Sequence, residues 1–178
     1  MQPKNTTIAE NSILSSEDLM HVMDKSRGNK FIFALMLLFH RTQGRFPISP
    51  SEFHPKTIDM VAQQLNVVVP KGDFLDKAVR TSMRYRTEIR QITGFRESTN
   101  ADANMLTQWL QESAAIVNYN PNQLILKLEE RCQQLLIEPP SLARLDSIMR
   151  TVVFTRDEDL YSKPTFDPPL LKFLKLNC

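Results

Sequence analysis

The chain has 178 residues, 42% hydrophobic and 24% charged, with a formal net charge of +2. Such a composition excludes a disordered chain, and its bulk charge does not announce a nucleic-acid or membrane binder, so local clustering must carry any such case. The two cysteines, Cys132 and Cys178, argue against a disulfide framework or a cysteine-based metal site. Only four glycines occur, and Leu, Gln, Glu, Arg, Ala and Met are common, which favours helices. The amino terminus, MQPKNTTIAENS, lacks the charged-then-apolar pattern of a signal peptide. A soluble intracellular protein is expected.

Residues 1–14 read as a loose polar lead. Ser15-Ser16-Glu17-Asp18 is a helix start, a hydroxyl cap followed by acids in the first turn. Leu19, Val22 and Met23 give that short helix an apolar edge, and Lys25–Asn29 turns the chain. The stretch GNKFIFALMLLFHRTQGRFP then carries nine successive apolar residues, Phe31 to Phe39. A helix apolar all round is buried on nearly every side, and nine residues fall far short of the roughly 20 of a membrane span. Gly44 suits the left-handed position past its end, with Arg41 and Arg45 complementing the dipole. The other helices are expected to pack around this one.

Phe46–His54, with Pro47 and Pro50, reads as an extended connector. Pro55 opens the next helix, with Ile58, Val61, Ala62 and Leu65 inward, and the valines at 67–69 read as a packed turn. Phe74 to Thr93 is helical in pattern, with Ala78, Tyr85, Ile89 and Ile92 inward and Gly94 at its end. Thr99 or Asn100 caps a helix anchored by Leu106, Trp109, Leu110 and Ile116. Pro121 begins another, striped by Leu124, Leu128, Cys132 and Leu135. Ile137–Ser141 is a tight turn with a capping serine, and the last helix carries Leu142, Leu145, Ile148, Met149, Val152 and Val153. After Asp157 the prolines of SKPTFDPPLLKFLKLNC break the period; this tail either stays disordered or docks through Leu170, Leu171, Phe173 and Leu174.

The most suggestive cluster is basic. Lys71, Lys77, Arg80, Arg84, Arg86, Arg90 and Arg96 stand against Asp73, Asp76 and Glu88, a local charge of +4. On one continuous helix Lys77, Arg80, Arg84 and Gln91 share a face, with Thr81, Thr87 and Gln91 adding neutral hydrogen-bonding groups. Arginine and glutamine read guanine and adenine edges, and lysine and arginine seat phosphates. The helix from 55 to 66, a turn and this helix follow the order of a helix-turn-helix, although the turn is longer than three to four residues. A second pairing joins 121–136 to 141–154, whose outward residues include Arg144, Ser147, Arg150 and Thr151. Solvated basic faces explain either cluster in isolation, so both readings stay open at this point. His21, His40 and His54 have no metal-ligand spacing, and the chain has neither a glycine-rich phosphate loop nor a nucleophile elbow.

Several stretches, in order, carry a resemblance: RGNKFIFALMLLFHRTQGRFP, VAQQLNV, RTEIRQITGFR, LTQWLQESA and RCQQLLIEPPSLARLDSIMR. Together they resemble the amino-terminal region of the class II replicative transposases of the Tn-three family, over roughly residues 13–153. In that family the region is all-helical and recognises the terminal inverted repeats of the transposon. By position the family's GRFP motif falls on Gly44 to Pro47, its basic stretch on Arg86 to Arg96, and its helix after the double proline on Ser141 to Thr155. The family enzymes are several times longer, and their acidic catalytic triad lies in a downstream domain absent here.

The combined expectation is an all-α protein of about seven helices in two helix-turn-helix-like units, residues 1–97 and 98–157, with a divergent tail at 158–178. The resemblance implies a non-catalytic DNA-binding protein, a truncated transposase or a repressor of transposition, bacterial, cytoplasmic and nucleoid-associated. Its partner would be double-stranded DNA of the inverted repeats; the alternative is a helical interaction module that pairs with full-length transposase. The DNA contacts are expected from Lys77, Arg80, Arg84, Arg86, Arg90, Arg96, Arg144 and Arg150, with no catalytic residue, metal or cofactor.

Overall fold

A computed structural model describes residues 13–26, 29–80, 83–113 and 120–162, with side chains as far as Thr155. The described residues form an all-α fold of eight α-helices and one 3-10 turn. In order these are α1 (Ser16–Met23), α2 (Lys30–Gln43), the 3-10 turn (Pro50–Glu52), α3 (Pro55–Gln64), α4 (Phe74–Val79), α5 (Met83–Thr93), α6 (Asn100–Glu112), α7 (Pro121–Gln134) and α8 (Leu142–Ser162). They fall into two compact units, Met1–Ser98 with Cys132–Pro139, and Thr99–Arg131 with Pro140–Cys178. The expected division at 97/98 lies one residue from the first boundary but does not anticipate that 132–139 belong with the first unit.

The first unit is built on α2. Phe31 and the whole run Phe33 to Leu38 are buried, which leaves no side of the helix for water over its middle turns. Each of α1, α3, α4 and α5 packs on it. Asn29 precedes α2 without a side-chain cap, whereas Gly44 ends it at φ +67°, the left-handed geometry expected there. Ser15 and Asp18 form a reciprocal capping box at the start of α1. Leu14, expected in a loose lead, is buried and exchanges two hydrogen bonds with the Gln64 side chain.

Several expectations change. The connector after α2 contains a capped helical turn: Ser49 and Glu52 form a second capping box, and Glu52 also takes Arg45 at 2.5 Å. The basic helix expected from 74 to 93 is two helices, since α4 stops at Val79 and α5 starts at Met83. Lys77 and Arg80 therefore do not continue the face that carries Arg84 and Gln91. The helix-turn-helix pairing expected of 55–66 with this stretch gives way to a hub, because α3 and α5 both pack on α2. Strong apolarity on every side of α2 draws the amphipathic helices to it in preference to one another.

In the second unit α6 opens on a Thr99–Asp102 capping box and packs on α8. Leu106 and Leu110 of α6, Leu124 and Leu128 of α7, and Leu145, Ile148, Met149 and Val152 of α8 are buried. Leu142, expected inward, is 59% exposed. Trp109 is half-buried, with the Arg131 guanidinium 5.5 Å from its ring. Ile116 lies outside the described residues. Helix α8 runs to Ser162, past Asp157, where a break in the pattern is expected; residues 163–178 lie outside the described residues.

Candidate nucleic-acid interface

The arginines of the first unit divide by direction. Helix α5 turns by about 100° per residue, so Ile89, Tyr85 and Ile92 face α2. Ile89 is fully buried, and the Tyr85 ring stands edge-on to Phe33 at 5.4 Å. Arg86 and Arg90 lie next to that buried arc. Arg90 Nε and Nη2 donate to the two carboxylate oxygens of Glu138, at 2.8 and 3.0 Å, and Nη2 also meets Glu97 at 2.7 Å. Arg86 Nη2 donates to the Val79 carbonyl at 3.0 Å, with its guanidinium 5.0 Å from the Phe46 ring. The forked pairing and the aromatic seat make both side chains part of the fold.

Glu138 reaches Arg90 because its segment runs beside residue 96. Arg96 N–H donates to the Leu136 carbonyl and Glu138 N–H to the Arg96 carbonyl, a single parallel bridge. The same carboxylate accepts from fully buried His40, whose Nε2 stands 2.8 Å from Oε1. A carboxylate only accepts, so Nε2 carries the hydrogen. Thr93 Oγ1 lies 3.1 Å from the other ring nitrogen, and Phe46 and Phe95 flank the imidazole at 4.5 and 5.2 Å. Burial alone would raise the Glu138 carboxyl; the hydrogen bonds from His40 and Arg90 outweigh it and hold the group below its ordinary 4.5. The hydrogen bond to Glu138 correspondingly raises Arg90.

The remaining expected contact residues are exposed. Lys77 lies 3.1 Å from Asp73 one turn earlier on the same surface, and Arg150 lies 2.8 Å from Asp146 in the same relation. Arg96 Nη1 donates to the Glu97 carbonyl at 3.2 Å. Arg80, Arg84 and Arg144 are exposed, and among the described residues no carboxylate comes within 4 Å of them. Of the eight basic residues, two are held within the first unit, three are tied on the surface, and three are left to solvent. The partner missed in the sequence is Glu138. It lies 48 residues from Arg90 and 98 from His40, and no local spacing signals either contact.

Among the described residues no group of three His, Cys, Asp or Glu side chains is placed to hold a metal ion, and no helix is long and apolar enough to cross a membrane. The fold and its surface define an all-helical protein of two units with solvated arginines on each. The chain belongs to the family described as a domain of unknown function (DUF4158), which matches residues 4–152. This domain is known from Tn-three family transposases. No curated protein matches the sequence.

Proposed function

We propose that the protein binds double-stranded DNA at the terminal inverted repeats of a transposon and does so without cutting it, limiting transposition by occupying sites that a transposase needs. The observation that carries this reading is the set of exposed arginines that form no ion pair among the described residues, Arg80 and Arg84 in one unit and Arg144 in the other. A cation held away from acids keeps its full attraction for phosphate, whereas Arg90, forked onto Glu138, has spent it. Membership of a family known from transposases supports DNA of that origin as the ligand.

Salt dependence tests the reading. A titration of duplex DNA at several salt concentrations should show affinity falling steeply, with a log–log slope of about −0.9 for each phosphate neutralised. Replacing Arg80 or Arg144 with alanine should reduce that slope by about one. Affinity indifferent to salt, or no binding near 0.05 M salt, overturns the proposal.

A further inference from the structure

The outward arc of α5 has a composition unlike its inner side. At about 100° per residue, Met83, Thr87, Gln91 and Arg84 fall in order within one arc of about 100°. All four are exposed, Met83 at 68%. No carboxylate stands on that arc. Glu88 borders it, and its charge is met by Lys25. Thr87 Oγ1 donates its hydrogen to the Met83 carbonyl, so the side chain offers a methyl group and an acceptor. Among the described residues no hydrogen bond or ion pair engages the side chain of Arg84 or Gln91. The opposite side of the helix is fixed by Ile89 in the core, and Arg90, at the edge of the arc beside Met83, is forked onto Glu138.

Resting on the DNA-binding reading above, we propose that this arc of α5 is the base-reading surface: Arg84 takes a guanine edge and Gln91 an adenine edge in the major groove, with Arg80 on phosphate. Arginine and glutamine make bidentate pairs with those two bases, while methyl-bearing side chains such as Met83 and Thr87 suit a thymine methyl. A helix with its side chains is about 10–12 Å across, and the groove is about 12 Å wide. Seven residues of helix separate Arg84 from Gln91, a rise of about 10.5 Å, which spans about three base pairs. The two recognised bases should therefore lie about three base pairs apart. Arg86 and Arg90, which lie in the stretch that the family resemblance pointed to, take no part.

The test uses the full chain and a pool of duplexes whose randomised core covers about two helical turns, roughly 20 base pairs, sequenced after selection on the protein. Parent protein, Arg84→Lys and Gln91→Ala are compared, with circular dichroism checking that each is folded. Arg84→Lys keeps the charge and removes the fork, so a phosphate contact survives it and a guanine contact does not. The expected result is a motif enriched by the parent. Gln91→Ala then loses preference for one adenine, and Arg84→Lys for one guanine about three base pairs away, each by about 5- to 150-fold. If both variants select the parent's motif, α5 is not the reader while DNA binding stands. If the parent retains duplexes but enriches no motif, its contacts are to the backbone; the inference then falls together with recognition of the inverted repeats, while DNA binding itself stands. If no duplex is retained near 0.05 M salt, the inference and the DNA-binding reading fall together.

Discussion

Glu138 accepts from His40 and from Arg90 at once, and the consequences are measurable. With its carboxyl depressed in the folded state, it contributes stability above its ordinary value of 4.5 and loses that contribution as pH falls through the lower, folded value. Glu52 behaves likewise. Burial pushes it up, and Arg45 with the Ile48 and Ser49 amides outweighs that. Urea midpoints taken from about pH 7 to about pH 3 should hold steady and then drop below about pH 4.5, with a shallower drop for Glu138→Gln. Glu138→Ala removes the acceptor of buried His40 and the forked partner of Arg90, which keeps only Glu97 among the described carboxylates, and should cost about 3 kcal/mol, near the lower bound for breaking a buried pair. Arg84→Ala, on the solvent side of the same helix, should stay within about 0.5 kcal/mol by the same denaturation assay. A larger loss for Arg84→Ala than for Glu138→Ala would mean that inner and outer faces have been exchanged. Gly44→Ala is a further residue-scale prediction. At φ +67° an added Cβ meets the Phe95 ring at 2.9 Å and Gln133 Cγ at 3.1 Å. Left-handed backbone alone costs about 1–2 kcal/mol, and the contacts add to it.

Among the elements, α2 bears the most. Leu35 and Leu38 are 1% and 2% exposed, so changing either to alanine should lower stability by about 2–5 kcal/mol. An unchanged thermal midpoint in both variants would refute the placement of the core. The motifs that carry the family resemblance also gather at this helix. Gly44 ends it, Phe46 seats His40 and Arg86, Phe95 closes on His40 and Gly44, and residue 96 forms the bridge to Ile137. GRFP and GFR are thus fold-holding motifs, distinct from the surface proposed to read DNA. In the second unit the Thr99 cap satisfies the Asp102 amide, and Thr99→Ala should cost about 1 kcal/mol in a denaturant titration.

At the scale of the molecule, two units each present solvated arginine, and the chain returns at 132–139 to complete the first of them. That return is tied by the Arg96 and Glu138 amides. Hydrogen exchange should show both amides protected in the parent and faster in Glu138→Ala, with the helix α6 amides unaffected. Uniform acceleration through both units would mean that the two unfold as one.

Periodicity and end signals sufficed for much of this architecture. The helical class, the buried run from Phe31, the left-handed Gly44, and the caps at Ser15, Thr99 and Ser141 are local properties of a few neighbouring residues. The break between α4 and α5 was hidden, because the apolar positions Ala78, Tyr85, Ile89 and Ile92 keep a helical spacing across it. Counting charges was least informative. A run of seven basic residues looks like one surface in sequence, yet Arg90 faces an acid 48 positions away while Arg84, six positions earlier, faces water. Local spacing sets which residues share a helix face; only tertiary packing decides which face turns toward the core, because that choice depends on the carboxylates and rings that distant segments bring to it.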